Sequence, residues 1–247
     1  MNNMIKNQDG SYTKGREDRW AEGVKLVFQV LASNTQGREI NVLDVGCGDG
    51  SFYLFLKEKD KGSSSNIERI NYFGLDSDDI YQKRIKEMGG KFIHSDATNF
   101  IKSLGNKKFD VVIASEIIEH VDETDELINQ IKSVVKENGN IYLTTPNLAA
   151  WHCRLMLLFG FQPLPTEVSN ISSTFGKGAI GKKIYKNTIH HIRLFTYKAL
   201  TDFLKYHKLD IVKVVGSGYR KIDRIIFGNK FIGLAPLIIL VLKKRKN

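Results

Sequence analysis

Hydrophobic and polar positions divide the chain into a few rhythms. A polar arm from Met1 is followed by Trp20, Val24, Val27, Phe28 and Leu31, whose i, i+4, i+7, i+8, i+11 spacing is the apolar stripe of one amphipathic helix. From Ile40 to about Thr145, short β-branched runs alternate with helical stretches. Strands are predicted at Asn41–Val45, Ile70–Leu75, Lys91–His94, Phe109–Ala114 and Asn140–Thr144. That alternation specifies an α/β fold, a mostly parallel sheet with helices on both faces. Before the fifth strand, Leu127, Ile128, Ile131, Val134 and Val135 share a helix face, and Asn138-Gly139 predicts a left-handed cap at its end.

From Asn147 to Ile189 the rhythm stops. An apolar helix (Leu148–Phe159), a Pro163-x-Pro165 turn and a Ser/Gly/Lys-rich stretch are expected to form a cap inserted after the fifth strand. The alternation resumes with Thr196 as N-cap of a helix carrying Leu200, Phe203 and Leu204, then a strand at Leu209–Val215. A last strand around Ile222–Phe227 would complete seven. The expected organisation is an arm and helix over 1–39, one α/β domain over 40–228 with its cap at 147–190, and an apolar-basic tail over 229–247.

With 247 residues and 42% hydrophobic content, the chain can bury a sizeable core, which excludes disorder, collagen and coiled coil. Thirty-seven Lys and Arg against 27 Asp and Glu leave +10, a balance that attracts nucleic acid, a phosphorylated metabolite or an acidic membrane. The excess gathers in two places. Between Val168 and Lys208 lie Lys177, Lys182, Lys183, Lys186, Arg193, Lys198, Lys205 and Lys208 against the single acid Asp202, and Lys243-Lys244-Arg245-Lys246 follows the apolar run Phe231–Leu242. An apolar segment beside a basic cluster suits peripheral docking on an anionic bilayer. The alternative is that both apolar stretches pack on the domain, or on a second copy in a homodimer, and that the lysines form a solvated face. The run's twelve residues span about 18 Å as a helix, too short to cross a bilayer. Cys47 and Cys153 offer neither a disulfide framework nor paired metal ligands, and the arm has no apolar signal-peptide region, so a cytoplasmic setting is expected.

The densest chemistry lies in Val42-Leu43-Asp44-Val45-Gly46-Cys47-Gly48-Asp49-Gly50. An apolar strand runs into an acid and three alternate glycines, which allow a sharp strand-to-helix turn and close approach of a ligand to the backbone. A dinucleotide loop spaces its glycines differently and receives a pyrophosphate on the helix N-terminus. Here Asp44 and Asp49 bracket the loop; they would repel a pyrophosphate and suit a ligand carrying an ammonium and a sulfonium.

This stretch resembles motif I of the class I S-adenosylmethionine-dependent methyltransferases, and the likeness extends over roughly Ile40 to Val215. The resemblance implies a Rossmann-like seven-stranded fold and S-adenosylmethionine as cofactor. It implies cofactor contacts from Asp44, Gly46, Gly48 and Gly50, from Asp76 to the ribose hydroxyls, from Asp96 and Ala97 to the adenine, and from Ser115. Taken singly, Asp76 and Asp96 serve equally well as loop caps.

After the fourth strand, Ser115-Glu116-Ile117-Ile118-Glu119-His120 places two carboxylates three residues apart beside an imidazole, with His190-His191 far downstream. A Glu-x-x-Glu-His turn with a distant histidine also resembles two families, the ubiquinone-biosynthesis O-methyltransferases and the small-RNA 3′-terminal 2′-O-methyltransferases. In both a divalent metal is thought to activate the acceptor oxygen. That likeness implies Glu116, Glu119, His120 and His191 as ligands of Mg2+ or a similar ion. The alternatives are His120, with Glu119, as general base without metal, and a structural His120. The Thr145-Pro146-Asn147 end, the apolar inserted helix and the His-Ile-Arg-Leu-Phe-Thr segment at 191–196 also resemble methyltransferases of glycan assembly. The expected activity is O-methylation of a small-molecule, lipid-linked or saccharide acceptor. RNA 2′-O-methylation is the less favoured alternative, because no separate RNA-binding domain or stacking platform is evident. A catalytically inactive scaffold is the third.

Overall fold

The computed structural model describes residues 17–33, 37–60, 67–184, 187–218, 225–227 and 230–246. Helix α1 (Glu17–Ser33) precedes the alternating unit β1 (Ile40–Val45), α2 (Ser51–Asp60), β2 (Ile70–Asp76), α3 (Gln82–Glu87), β3 (Lys91–His94), α4 (Ile101–Leu104), β4 (Phe109–Ser115), α5 (Thr124–Val134) and β5 (Val135–Pro146). The cap carries α6 (Trp151–Leu158) and α7 (Gly178–Ile184), followed by α8 (Tyr197–Tyr206), β6 (Leu209–Ser217) and β7 (Leu237–Lys244). The seven strands lie in the order β3-β2-β1-β4-β5-β7-β6. β1 to β5 pair in parallel, and β7 enters antiparallel between β5 and β6. This is the Rossmann-like α/β sheet the pattern specified.

Both faces of the sheet are apolar, as a sheet covered by helices on each side requires. Val45, Val112 and Ala114 pack with Leu127, Ile131, Leu200 and Leu204 of α5 and α8. The alternate positions Val42, Val111 and Ile113 pack with Trp20, Val24, Phe52 and Ile85 of α1, α2 and α3. Strand order reverses between the parallel neighbours β1 and β4, successive strands being added toward β3 on one side and toward β5 on the other, and a crevice outside the carboxyl ends of strands at such a switch point is where ligands bind in open α/β sheets.

Three expectations are corrected. The apolar run Phe231–Leu242 is neither tail nor lipid anchor over its strand portion: it forms β7, with Ile238, Leu240 and Leu242 on one face of the core and Leu237, Ile239 and Val241 on the other. Its basic end is neutralised in part, Lys244 pairing with Glu137 at 2.7 Å and Arg245 with Asp210 at 2.8 Å. The strand expected at Ile222–Phe227 is absent where it can be seen, since 225–227 are helical and 222–224 lie outside the described residues. Finally, α5 ends at Val134 and β5 begins at the β-branched Val135, so Asn138-Gly139 is no helix cap. Gly139 is required there for close approach instead: a Cβ would lie 3.0 Å from the Phe109 carbonyl oxygen, at an irregularity in the pairing of β4 with β5. Thr196 does cap α8, its hydroxyl accepting from the Ala199 N–H at 3.1 Å.

Candidate active site

Every chemistry-bearing residue singled out before the cap, from the glycine loop to Glu119-His120, follows or closes the carboxyl end of a strand. β1 runs into a loop whose Gly46, Gly48 and Gly50 all have left-handed φ, at 71°, 51° and 75°. The loop is tied to β2 through Gly46 and Cys47 N–H groups, both donating to the Leu75 carbonyl at 2.8 and 3.0 Å. Added Cβ atoms at Gly46 and Gly50 would come within 2.8 Å of Ile117 and 2.5 Å of Ile85, whereas a Cβ at Gly48 would meet open space. Gly48 is thus the point where a ligand can lie against the backbone, and its N–H donates to Asp76 Oδ2 at 2.8 Å.

Asp44 is buried and accepts from the Tyr72 hydroxyl at 2.6 Å, with Tyr72 stacked on Tyr53 at 4.0 Å between ring centroids. Burial pushes its carboxyl up to about 7; the Tyr72 hydrogen bond opposes this and the nearby Asp76 charge adds to it. Asp49 pairs with Arg84 at 3.3 Å and accepts from the Ser51 N–H at the start of α2. Asp76 also accepts from the Asp78 N–H at 3.0 Å, and Asp96 accepts from the Thr98 N–H and hydroxyl at 2.7 and 2.6 Å. Asp76 and Asp96 are therefore loop caps, as carboxylates that organise a crevice rim can be. Ala97, next in the chain, is buried.

At the end of β4, Ser115 Oγ lies 3.1 Å from Thr144 Oγ1. Glu116 adopts a left-handed φ of 55°, which costs an L-residue about 1–2 kcal/mol, and is held there by Thr144. Its N–H donates to the Thr144 carbonyl at 3.1 Å and its carboxylate accepts from the Thr144 hydroxyl at 2.9 Å. The one-turn helix Ile118–His120 follows. Glu119 is fully buried and accepts from the Thr145 hydroxyl at 2.9 Å, and its carbonyl accepts the N–H groups of Ile192 and Arg193 at 2.7 and 3.1 Å. Those two bonds bring the late histidine segment onto the turn. One ligand atom each from Glu119, His120 and His191 lies within 4.8 Å of the others, with His120 Nε2 4.0 Å from Glu119 Oε1.

Both imidazoles are oriented by main-chain carbonyls. His120 Nδ1 is 3.1 Å from the His190 oxygen and His191 Nδ1 is 2.8 Å from the Pro165 oxygen. A carbonyl only accepts, so both rings carry a proton on Nδ1, which leaves the Nε2 lone pair of the neutral ring directed elsewhere. Both are biased toward the neutral form: burial pushes His120 below the usual histidine value, and burial together with His120 takes His191 down to about 4. Two Nδ1-anchored imidazoles and a hydroxyl-anchored carboxylate form a donor set able to take up a proton or hold a divalent cation.

Comparison with known proteins places the chain in a family. The methyltransferase-domain family matches residues 12–213. The chain belongs to that family. The mitochondrial ubiquinone biosynthesis O-methyltransferase of Dictyostelium discoideum is 24% identical over 188 residues, covering 73% of this chain and 53% of that protein. The corresponding enzyme of Pasteurella multocida is 31% identical over 121 residues, covering 44% and 48%. This chain thus spans about half the length of the curated relatives it matches. A solved plantazolicin methyltransferase with bound S-adenosylhomocysteine aligns with a TM-score of 0.57 at 18% identity, covering 92% of this chain and 85% of that one, a likeness of fold. The chain carries a class I S-adenosylmethionine-dependent methyltransferase domain.

Within this methyltransferase domain the expected site residues fall into two groups and one exception. Asp44, Gly46, Gly48, Gly50, Asp76, Asp96, Ala97 and Ser115 line successive strand ends or the loops directly after them. Glu119, His120 and His191 converge. Glu116 does not join them: its left-handed backbone, stabilised by Thr144, breaks the single helical turn that would have aimed it at the same point. Contacts that the sequence did not signal complete the site. Tyr72, Thr144, Thr145, Pro165, Glu167 and the His190 carbonyl act through hydrogen bonds that neither periodicity nor spacing encodes.

Proposed function

We propose that the domain transfers the methyl group of S-adenosylmethionine to a hydroxyl of a lipid-linked or otherwise apolar acceptor, a small molecule or saccharide, with Glu119, His120 and His191 activating that hydroxyl. The convergence of those three side chains carries the proposal. Asp44, Gly48 and Asp76 would receive the cofactor, the buried Asp44 carboxylate answering its cationic end and Asp76 its ribose hydroxyls.

Methyl transfer is an in-line displacement: the acceptor oxygen forms a bond to the methyl carbon as the carbon–sulfur bond breaks, and sulfur keeps the bonding pair. Holding oxygen and methyl about 3 Å apart supplies up to roughly 7–11 kcal/mol of the barrier. The acceptor proton must also leave, and the Nε2 lone pair that the Nδ1 anchor gives His120 is suited to take it. Glu119, His120 and His191 equally fit a divalent cation such as Mg2+, Mn2+, Fe2+ or Zn2+. When bound, such an ion supplies a lowered hydroxyl pKa.

The apolar acceptor class is supported by the cap. α6 and the segments after it expose Leu158 at 75%, Phe159 at 72% and Ile171 at 87%, with Lys182 and Lys183 exposed beside Ile180 and Ile184. An apolar surface with a basic rim suits an amphiphile at an anionic lipid surface. Its connection to the site is direct, since Pro165 of the same cap anchors the His191 ring.

The experiment supplies methyl-labelled S-adenosylmethionine with a total lipid extract and total RNA from the cells that make the protein, with and without chelator. Label should enter the organic phase. Loss in chelator and recovery with Mn2+ or Mg2+ assigns the donor set to a metal, and full transfer in chelator assigns the proton to His120 alone. Label in RNA, or no transfer to either pool, overturns the proposal.

A further inference from the structure

The orientation of His120 is itself held by a clamp from the cap. Glu167, two residues beyond the Pro165 carbonyl that anchors His191, receives two consecutive main-chain donors, Ile189 N–H on Oε1 and His190 N–H on Oε2, each at 2.7 Å. The second of these donors, His190, has a left-handed φ of 56°. Its carbonyl is the acceptor for His120 Nδ1–H. That conformation is disfavoured for a residue carrying a Cβ. A carboxylate can offer one oxygen to each of two neighbouring N–H groups, whereas an amide offers one oxygen and one opposing N–H.

We propose that Glu167 is a positioning residue: by clamping the Ile189 and His190 amides it holds the left-handed turn whose carbonyl keeps the proton of His120 on Nδ1 and its Nε2 lone pair directed into the site. The role of that lone pair rests on the O-methyltransferase proposal above; the clamp and the tautomer do not. The Pro163–Glu167 turn thereby reaches both imidazoles, His191 through its own Pro165 carbonyl and His120 through Glu167 and His190. The turn is braced by the Thr166 N–H and hydroxyl, which donate to the Pro163 carbonyl at 3.2 and 2.8 Å. The cap that meets the acceptor and the group that activates it are in this way mechanically joined.

The test uses the full chain labelled with 15N-histidine and reads ring tautomers from long-range 1H–15N spectra, which need no acceptor. In the parent protein His120 and His191 should both be protonated on Nδ1. In Glu167→Gln, His120 should become a mixture of tautomers while His191, anchored on Pro165, keeps its own. Adding His190→Gly should restore the His120 tautomer, because glycine adopts the left-handed turn unaided. Such rescue is not expected of a merely structural glutamate. Should Glu167→Gln fail to fold, Glu167→Asp, with its shortened reach, carries the same expectation. A folded variant with an unchanged His120 tautomer, or a double variant without recovery, overturns the assignment. Undiminished methyl transfer in His120→Asn would overturn the role proposed above for His120 in activating the acceptor hydroxyl and leave the tautomer result standing.

Discussion

The two halves of the active site are built by opposite means. Asp44, Gly48 and Asp76 belong to adjacent parallel strand ends, and the bond from Gly48 to Asp76 spans only 28 residues. Main-chain N–H groups and glycine conformations do much of the work there, and the central sheet fixes them. Glu119, His120 and His191 depend on contacts reaching across 70 residues and on a cap whose outer surface is exposed. The difference follows from what each half has to meet. On the function proposed above, a methyl donor of constant shape would be received by the rigid frame itself, whereas the acceptor would be met by a turn and a late segment braced by an insertion that can change without disturbing the strands.

The sharpest way to break that separation is Glu119→Gln. The substitution keeps the volume of a fully buried side chain and an acceptor for the Thr145 hydroxyl, and replaces the carboxyl group by an amide that cannot take up a proton or ligate a cation as a carboxylate. Turnover should fall by about 10²–10⁴, the range ascribed to positioned acid–base groups. Cofactor affinity, measured by calorimetry, should be unchanged. A parallel loss of cofactor binding would show that the halves are one unit.

The converse substitution is Gly48→Ala. Its left-handed φ makes the change cost about 1–2 kcal/mol of stability, yet the added Cβ meets no protein atom within 4 Å. The damage should therefore fall on the ligand: S-adenosylmethionine affinity should drop at least about tenfold, with the melting temperature lowered by only a few degrees. Gly50→Ala provides the contrast, because its Cβ would press on Ile85 and Met88 and destabilise the empty protein too.

The same division decides what could be read from the sequence. Strands β1 to β4 and the glycine loop were legible because each is local: a β-branched run, an acid, alternate glycines, a helix. The pairing of Glu119-His120 with His191 over His190 was also legible, through a resemblance and a spacing. The contacts of Thr145, Pro165 and Glu167 were not, since hydrogen bonds between distant segments leave no period. The apolar runs Leu148–Phe159 and Phe231–Leu242 look alike as strings, and local composition could not separate them. The second contains Ile238-Ile239-Leu240-Val241, fills the gap between β5 and β6 and is buried on both faces. In the first, α6 buries Cys153 alone and exposes Trp151, Leu155, Leu157 and Leu158. Burial was settled by the partner each run found, which only the assembled sheet reveals.

A subtler difference between the halves is their response to pH. Both imidazoles are pushed below the usual histidine value, so raising the pH from neutrality should change the acceptor side little. Asp44 behaves otherwise, because burial lifts its carboxyl to about 7 and the empty site is half protonated near neutrality. A cationic cofactor binds the carboxylate form, so affinity should rise as pH increases through 7, with a proton released on binding, and fall by up to about tenfold per pH unit below it. Stability of the empty domain runs the other way. A carboxyl raised on folding favours the folded state while protonated, and that contribution is lost as pH rises from the unfolded value near 4 through 7. The cofactor-induced shift in melting temperature should therefore grow with pH over the same interval. Calorimetry in buffers of different ionisation enthalpy counts the proton, and Asp44→Asn should flatten both dependences. If the variant keeps the slope, the proton belongs to another group and Asp44 is a spacer in the loop. If S-adenosylmethionine and S-adenosylhomocysteine show equal slopes, Asp44 answers the ammonium they share, and a steeper slope for S-adenosylmethionine assigns it to the sulfonium.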